Sequence, residues 1–165
     1  MAYNNPFYKK NWMRNNNSDS KPTYKPKRGP LSTLMSEDQK TTANIQDLSY
    51  DFACRIIRLF QYLTEDADYK EFTMSKQVYR SGTSIGANTR EAQHAQSDAD
   101  FLSKMQIAHK EADETCYWLS LLHDNGYLNE EQLSSLDADS QRIMRLLNSI
   151  VKSTKQRIEN KKNNR

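Results

Sequence analysis

Proline is absent after Pro30, and glycine occurs only four times in 165 residues. Proline removes a helical N–H and its ring clashes with the preceding turn, so a body without it can run in long unbroken helices. Long hydrophobic runs are missing too. No stretch approaches the roughly 18 apolar residues of a membrane span, and the opening MAYNNPFYKKNWMRNNN has no apolar signal-peptide core. Only two cysteines occur, Cys54 and Cys116, in separate helical segments; they read as reduced, half-buried thiols rather than a disulfide framework. The expectation is a cytoplasmic protein with no membrane partner.

What is present is a seam. Phe101, Met105, Ala108, Ala112, Thr115, Leu119 and Leu122 recur at alternating spacings of four and three, the a/d pattern of a helix packed on its neighbours. The same spacing returns at Leu133, Leu136, Ser140, Ile143, Leu147, Ile150 and Thr154, and at Met74, Val78, Ser81, Ile85, Asn88, Ala92 and Ala95. A fourth stripe, Ile45, Leu48, Phe52, Ile56, Leu59 and Leu63, lies upstream. The fold class predicted is all-α, an antiparallel up-down-up-down four-helix bundle, because short connections make consecutive helices antiparallel neighbours. Residues 1–44 read as a disordered or extended basic N-terminal extension and lead-in, 45–159 as the bundle, and 160–165 as a basic tail. The first helix should start near Ile45 or Asp47, and the second should run from Glu71 or Thr73 to Ala95. Ser97 should cap the third helix and Gly126 terminate it, while Asn129 should cap the fourth, which should end near Glu159.

Charge is unevenly distributed. Residues 1–30 carry seven Lys/Arg against Asp19 alone, and residues 152–165 carry six against Glu159. The middle holds eleven basic and nineteen acidic residues. Lys9, Lys10, Arg14, Lys21, Lys25, Lys27 and Arg28 are interleaved with Tyr8, Trp12 and Tyr24, a pairing of phosphate neutralisation with flat stacking surfaces. Lys152, Lys155, Arg157, Lys161 and Lys162 extend the positive charge at the other end. These twelve residues are the candidate nucleic-acid contacts, for RNA and also DNA; the plain alternative is a solvated tail that aids solubility.

Two constellations with possible chemistry fail on spacing. The stretch Arg80-Ser-Gly-Thr-Ser-Ile-Gly-Ala-Asn88 is glycine-rich, but no strand precedes it and no Gly-Lys-Ser/Thr follows, so it is not a phosphate loop. Its glycines each cost about 1 kcal/mol in a helix, which points to a close helix crossing. Glu111 and Glu114 could ligate a metal, yet a di-metal site needs two Glu-x-x-His pairs and only His94 has a glutamate three residues upstream, Glu91, whereas His109 and His123 lack one, so no di-metal pattern forms. The expected partners of those glutamates are arginines, Arg80 and Arg90. No nucleophile–base set can be assigned from spacing, so neither catalysis nor a cofactor is expected. Further apolar residues beside the seams, namely Ile57, Phe60, Leu102, Ile107, Tyr117, Trp118, Leu121, Leu146 and Val151, point to subunit contacts.

The stretch Arg80–Asn88, then Glu91, Phe101, Ile107-Ala108 and Lys110-Glu-Ala-Asp-Glu-Thr-Cys-Tyr-Trp-Leu119, resembles a small bacterial four-helix-bundle family. That family includes proteins encoded in intervening sequences of 23S ribosomal RNA genes and the accessory variability-determinant proteins of diversity-generating retroelements. The resemblance covers residues 45–158. Thr89 stands where members often have an apolar residue, and Ala92 where they often have glycine. The resemblance implies a homopentamer without catalytic activity, with Arg80, Ser84, Ile85, Asn88, Glu111, Glu114, Tyr117 and Trp118 in oligomer or core packing. It also implies RNA binding and partnership with a reverse transcriptase. The rival expectation is a protein-only scaffold, of the intervening-sequence type, whose basic tails dock an acidic partner.

Overall fold

The computed structural model describes residues 37–67 and 70–164. Four helices follow in order: α1 (Glu37–Gln61), α2 (Thr73–Glu91), α3 (Asp98–Asp124) and α4 (Glu130–Asn163). A π turn (Tyr62–Asp66) extends α1 and a 3-10 turn (Ala92–His94) extends α2. Each helix packs on the next, and α1 closes the ring against α4. This is the four-helix bundle that the seams predict.

The seams form the core. Phe52, Ile56, Leu63, Ile85, Met105, Leu119, Leu122, Ile143 and Leu147 are fully buried, and Ser81, Thr115, Ser140 and Thr154 are buried at their seam positions. A polar tie links each pair of sequential helices. Ser49 Oγ lies 3.0 Å from Thr89 Oγ1 between α1 and α2. Thr115 Oγ1 lies 2.9 Å from Ser81 Oγ between α3 and α2. Cys116 Sγ lies 3.0 Å from Ser140 Oγ between α3 and α4. Burying a hydroxyl unpaired costs a few kcal/mol, so these pairs favour one helix register over its neighbours. Thr89, fully buried, is therefore paired rather than stranded. The α1–α4 tie is larger: Arg55 donates to Ser135 O at 3.0 Å and Ser135 Oγ at 2.8 Å, and pairs with Asp139.

The ends are chemically defined. Ser97 Oγ accepts from Asp100 N at 3.1 Å, and Asn129 and Gln132 form a reciprocal capping box at 2.9 Å each way. Gly126 takes φ 81°, and the Tyr127 N–H returns to Leu122 O at 2.9 Å. The start of α2 is anchored by Glu71, only 7% exposed, whose carboxylate accepts from Thr73 N, Met74 N and Ser75 N at 2.6–2.9 Å.

Three boundaries differ from the sequence expectation. α1 begins at Glu37 rather than near Ile45. The stretch EDQKTTAN contains neither proline nor glycine, so nothing stops the helix from extending outward. The second helix proper ends at Glu91, and its last turn tightens to 3-10 geometry before the chain extends at Ala95. α4 runs on to Asn163, because two cations in its final turns are held by α3.

Candidate nucleic-acid interface

The first seven candidate contacts, Lys9 through Arg28, lie outside the described residues. The C-terminal five lie on α4, and the structure divides them. Arg157 and Lys161 turn toward α3 and grip Asp98, Arg157 Nη2 at 3.0 Å and Lys161 Nζ at 2.6 Å. Hydrogen bonding from Lys161, and then the positive charge of Arg157, holds the Asp98 carboxyl below the usual aspartate range. Both cations are thus committed to fixing the end of α4.

Lys152, Lys155 and Lys162 are exposed and have no ion-pair partner among the described residues. They lie on the outer face of α4, and they are joined there by Arg142 and Arg145, also exposed and likewise unpaired. At 100° per residue these five fall within one arc of about 160°. The middle of that arc is opposite the buried line Leu136, Ser140, Ile143, Leu147, Ile150 and Thr154. From Arg142 to Lys162 the ridge is about 30 Å long. Gln141, Asn148, Ser149 and Gln156 fill the face between the cations, and Glu159 is its one carboxylate. Arg142 and Arg145 were missed by reading charge as terminal runs. The available signal was the helical period: Arg145 and Lys152 are seven residues apart, as are Lys155 and Lys162.

The second candidate group sits at α2 and α3. Ile85 is core, and Asn88 Nδ2 donates to Ser84 O at 2.9 Å within α2. Arg80 reaches across to Glu114 and lies 3.6 Å from Glu111 Oε2, while Arg90 joins no ion pair among the described residues. Trp118 Nε1 donates to Glu114 at 3.1 Å. That indole hydrogen bond, followed by Arg80, keeps Glu114 below the ordinary glutamate range. Tyr117 packs edge-on against Trp118, with ring centroids 5.1 Å apart, and remains 58% exposed. Glu111 Oε2 and His109 Nε2 are shielded from solvent without a hydrogen bond. Among the described residues no cluster of three or more His, Cys, Asp or Glu side chains could hold a metal.

The apolar residues expected at subunit contacts also separate. Trp118, Leu146 and Val151 pack on the protein's own core, so that part of the surplus is simply a broad core. Ile57, Ile107 and Tyr117 are exposed, and the structure adds Tyr50, Phe72 and Tyr79. Phe60 and Tyr79 meet across the α1–α2 groove with centroids 5.0 Å apart. Cys54 and Cys116 are free and half-buried. Burial raises the Cys116 thiol; the hydrogen bond with Ser140 opposes it, and Asp137 and Asp113 add smaller upward pushes. No helix among the described residues is long and apolar enough to cross a membrane.

A family profile described as 23S rRNA-intervening sequence protein matches residues 41–149, most of the bundle. The chain belongs to that family. A solved structure from Bacteroides thetaiotaomicron VPI-5482, described as a protein of unknown function from the S23 ribosomal protein family, is 52% identical. The alignment covers 68% of this chain and 98% of that one, with a TM-score of 0.66. No curated protein matches. The family match thus rests on the bundle, whereas the first forty residues lie outside the matched segment.

Proposed function

We propose that this protein is a non-catalytic, homo-oligomeric nucleic-acid-binding accessory protein of the cytoplasm. The observation that carries this reading is the row of five cations on the outer face of α4, free of ion pairs among the described residues. Long, exposed cations without carboxylate partners are available to displace counterions from a phosphate backbone. The seven cations of residues 9–28 add a second, aromatic-interleaved contact set. Repetition of both in a closed oligomer multiplies individually weak contacts. The resemblance of α2 and α3 to retroelement accessory proteins supports a pentamer, RNA as the nucleic acid and a reverse transcriptase as the protein partner.

A titration of the full chain against structured RNA at several salt concentrations tests this. Neutralised phosphates give a falling log–log line, and Arg145→Ala with Lys152→Ala should make it shallower by about 2 for each protomer in contact. A flat line would overturn nucleic-acid binding. Light scattering on the same sample should return several protomers, and a lone subunit would remove the oligomer.

The strip of exposed Tyr50, Ile57 and Tyr79 with half-buried Phe60 favours a second reading. Here the protein is a scaffold that binds only proteins, its basic segments docking an acidic partner. That scaffold would show no steep salt slope against RNA.

A further inference from the structure

We infer that the α4 ridge is built for double-helical nucleic acid rather than for single strands. This rests on the nucleic-acid reading above and adds the form of the ligand.

The argument starts from what the ridge lacks. Proteins that hold single strands present aromatic platforms, because each stacked base contributes about 1–3 kcal/mol. No aromatic residue lies in α4 at all, and between Gln141 and Lys162 its exposed outer side chains include Gln141, Arg142, Arg145, Asn148, Ser149, Lys152, Lys155, Gln156, Asn160 and Lys162, with Glu159. Such a face can bond phosphates and hydroxyls but offers no aromatic ring on which a base can stack.

Rigidity points the same way. α4 is one uninterrupted helix over Glu130–Asn163, pinned along its length by Arg55 at Ser135 and Asp139, by Cys116 at Ser140, and by Asp98 at Arg157 and Lys161. Its cations therefore stand at fixed spacings. A fixed array about 30 Å long suits a rigid polyanion whose charges repeat at about 1.7 Å along its axis, and that length approaches one duplex turn. A flexible strand would have to be ordered first, at an entropic cost that this face has no aromatic stacking to offset. Between the cations, Gln141, Asn148 and Gln156 offer both donors and acceptors, the equipment for 2′-hydroxyls of an RNA groove.

The residues 1–30 segment has the opposite chemistry. Tyr3 and Phe7 precede its cations, and Tyr8, Trp12 and Tyr24 are interleaved with them. The two contact sets should therefore respond differently to ligand form.

The test uses the full chain with an RNA duplex of about 20 base pairs, a DNA duplex of the same sequence and an unstructured oligouridylate of equal length. Arg145→Glu with Lys152→Glu should weaken RNA-duplex binding more than tenfold and change oligouridylate binding by less than about threefold. Arg145→Gln with Lys152→Gln should give the same sign at smaller size, which keeps the test valid if charge reversal perturbs folding. The DNA duplex should lose in parallel with the RNA duplex, since both forms present a rigid phosphate array. Equal loss for duplex and single strand would overturn the inference while leaving nucleic-acid binding in place. No loss for any ligand would overturn the ridge as a contact altogether.

Discussion

The α1–α2 crossing and the outer face of α4 are opposite kinds of surface. At the crossing, shape decides everything. A Cβ added to Gly82 would stand 2.7 Å from Ile56 Cγ1 and 3.0 Å from Cγ2, and Ile56 is fully buried with nowhere to go. On α4 the outer cations are exposed and make no ion pair among the described residues, and the helix that carries them sets their spacing. The first surface bears on whether the chain folds, and the second is the one proposed above to hold nucleic acid.

The sharpest way to separate the two is at the glycines. Gly82→Ala should destabilise the bundle by about 1–2 kcal/mol, since overpacking outweighs the gain in helix propensity. That lowers the melting temperature by about 3–6 °C, and the salt slope for RNA should not move. Gly86 looks equivalent in sequence but is not. Its added Cβ would meet Ser49 O at 3.5 Å, ordinary van der Waals contact, so Gly86→Ala should be neutral or stabilising by up to about 1 kcal/mol. Equal melting temperatures for the two variants would break the claim that Gly82 alone requires the missing side chain.

The same contrast accounts for what could be read from the sequence. Seams, the Ser97 and Asn129 caps and the Gly126 turn were legible because each is a local rule of period or backbone geometry. Cys116 and Ser140 meet because Ser140 is a seam position and Cys116 sits beside one, Thr115. Glu71 was harder to see: a buried carboxylate that caps the next helix from one residue before its N-cap has no strong sequence signature. The charge map was legible only in part. Grouping Lys152 to Lys162 as a basic end placed Arg157 and Lys161 with the free cations, because sequence proximity does not reveal Asp98 across the bundle. It also left out Arg142 and Arg145, which belong to the ridge by helical phase. Packing writes a period into the chain, whereas surface charge acquires meaning only once each helix has a register and an end.

A smaller effect sharpens the division within α4 itself. Asp98 has a folded-state pKa below its ordinary value, so its contribution to stability is fully present above that ordinary value and is lost as pH falls through the lowered one. Acidification below about pH 4 should therefore release Arg157 and Lys161. Hydrogen exchange should quicken in the last turns of α4 before the rest of the bundle opens. Asp98→Asn should advance that loosening to neutral pH. Unchanged exchange at residues 157–163 would mean that the Asp98 pairs do not hold the end of the helix.

The smallest effect comes from Glu159, the single carboxylate on the ridge, one helical turn from both Lys155 and Lys162. Exposed pairings of this kind are worth only a few tenths of a kcal/mol, so Glu159→Gln should leave stability within measurement error. Its effect on ligand should have the opposite sign from every other ridge substitution. Removing a negative charge from the line of phosphate contact should raise RNA affinity by up to about twofold and steepen the salt slope slightly. A fall in affinity would mean that Glu159 itself contacts the nucleic acid or orders the neighbouring lysines. The outer face of α4 would then be a shaped site like the crossing, rather than a simple array of charge.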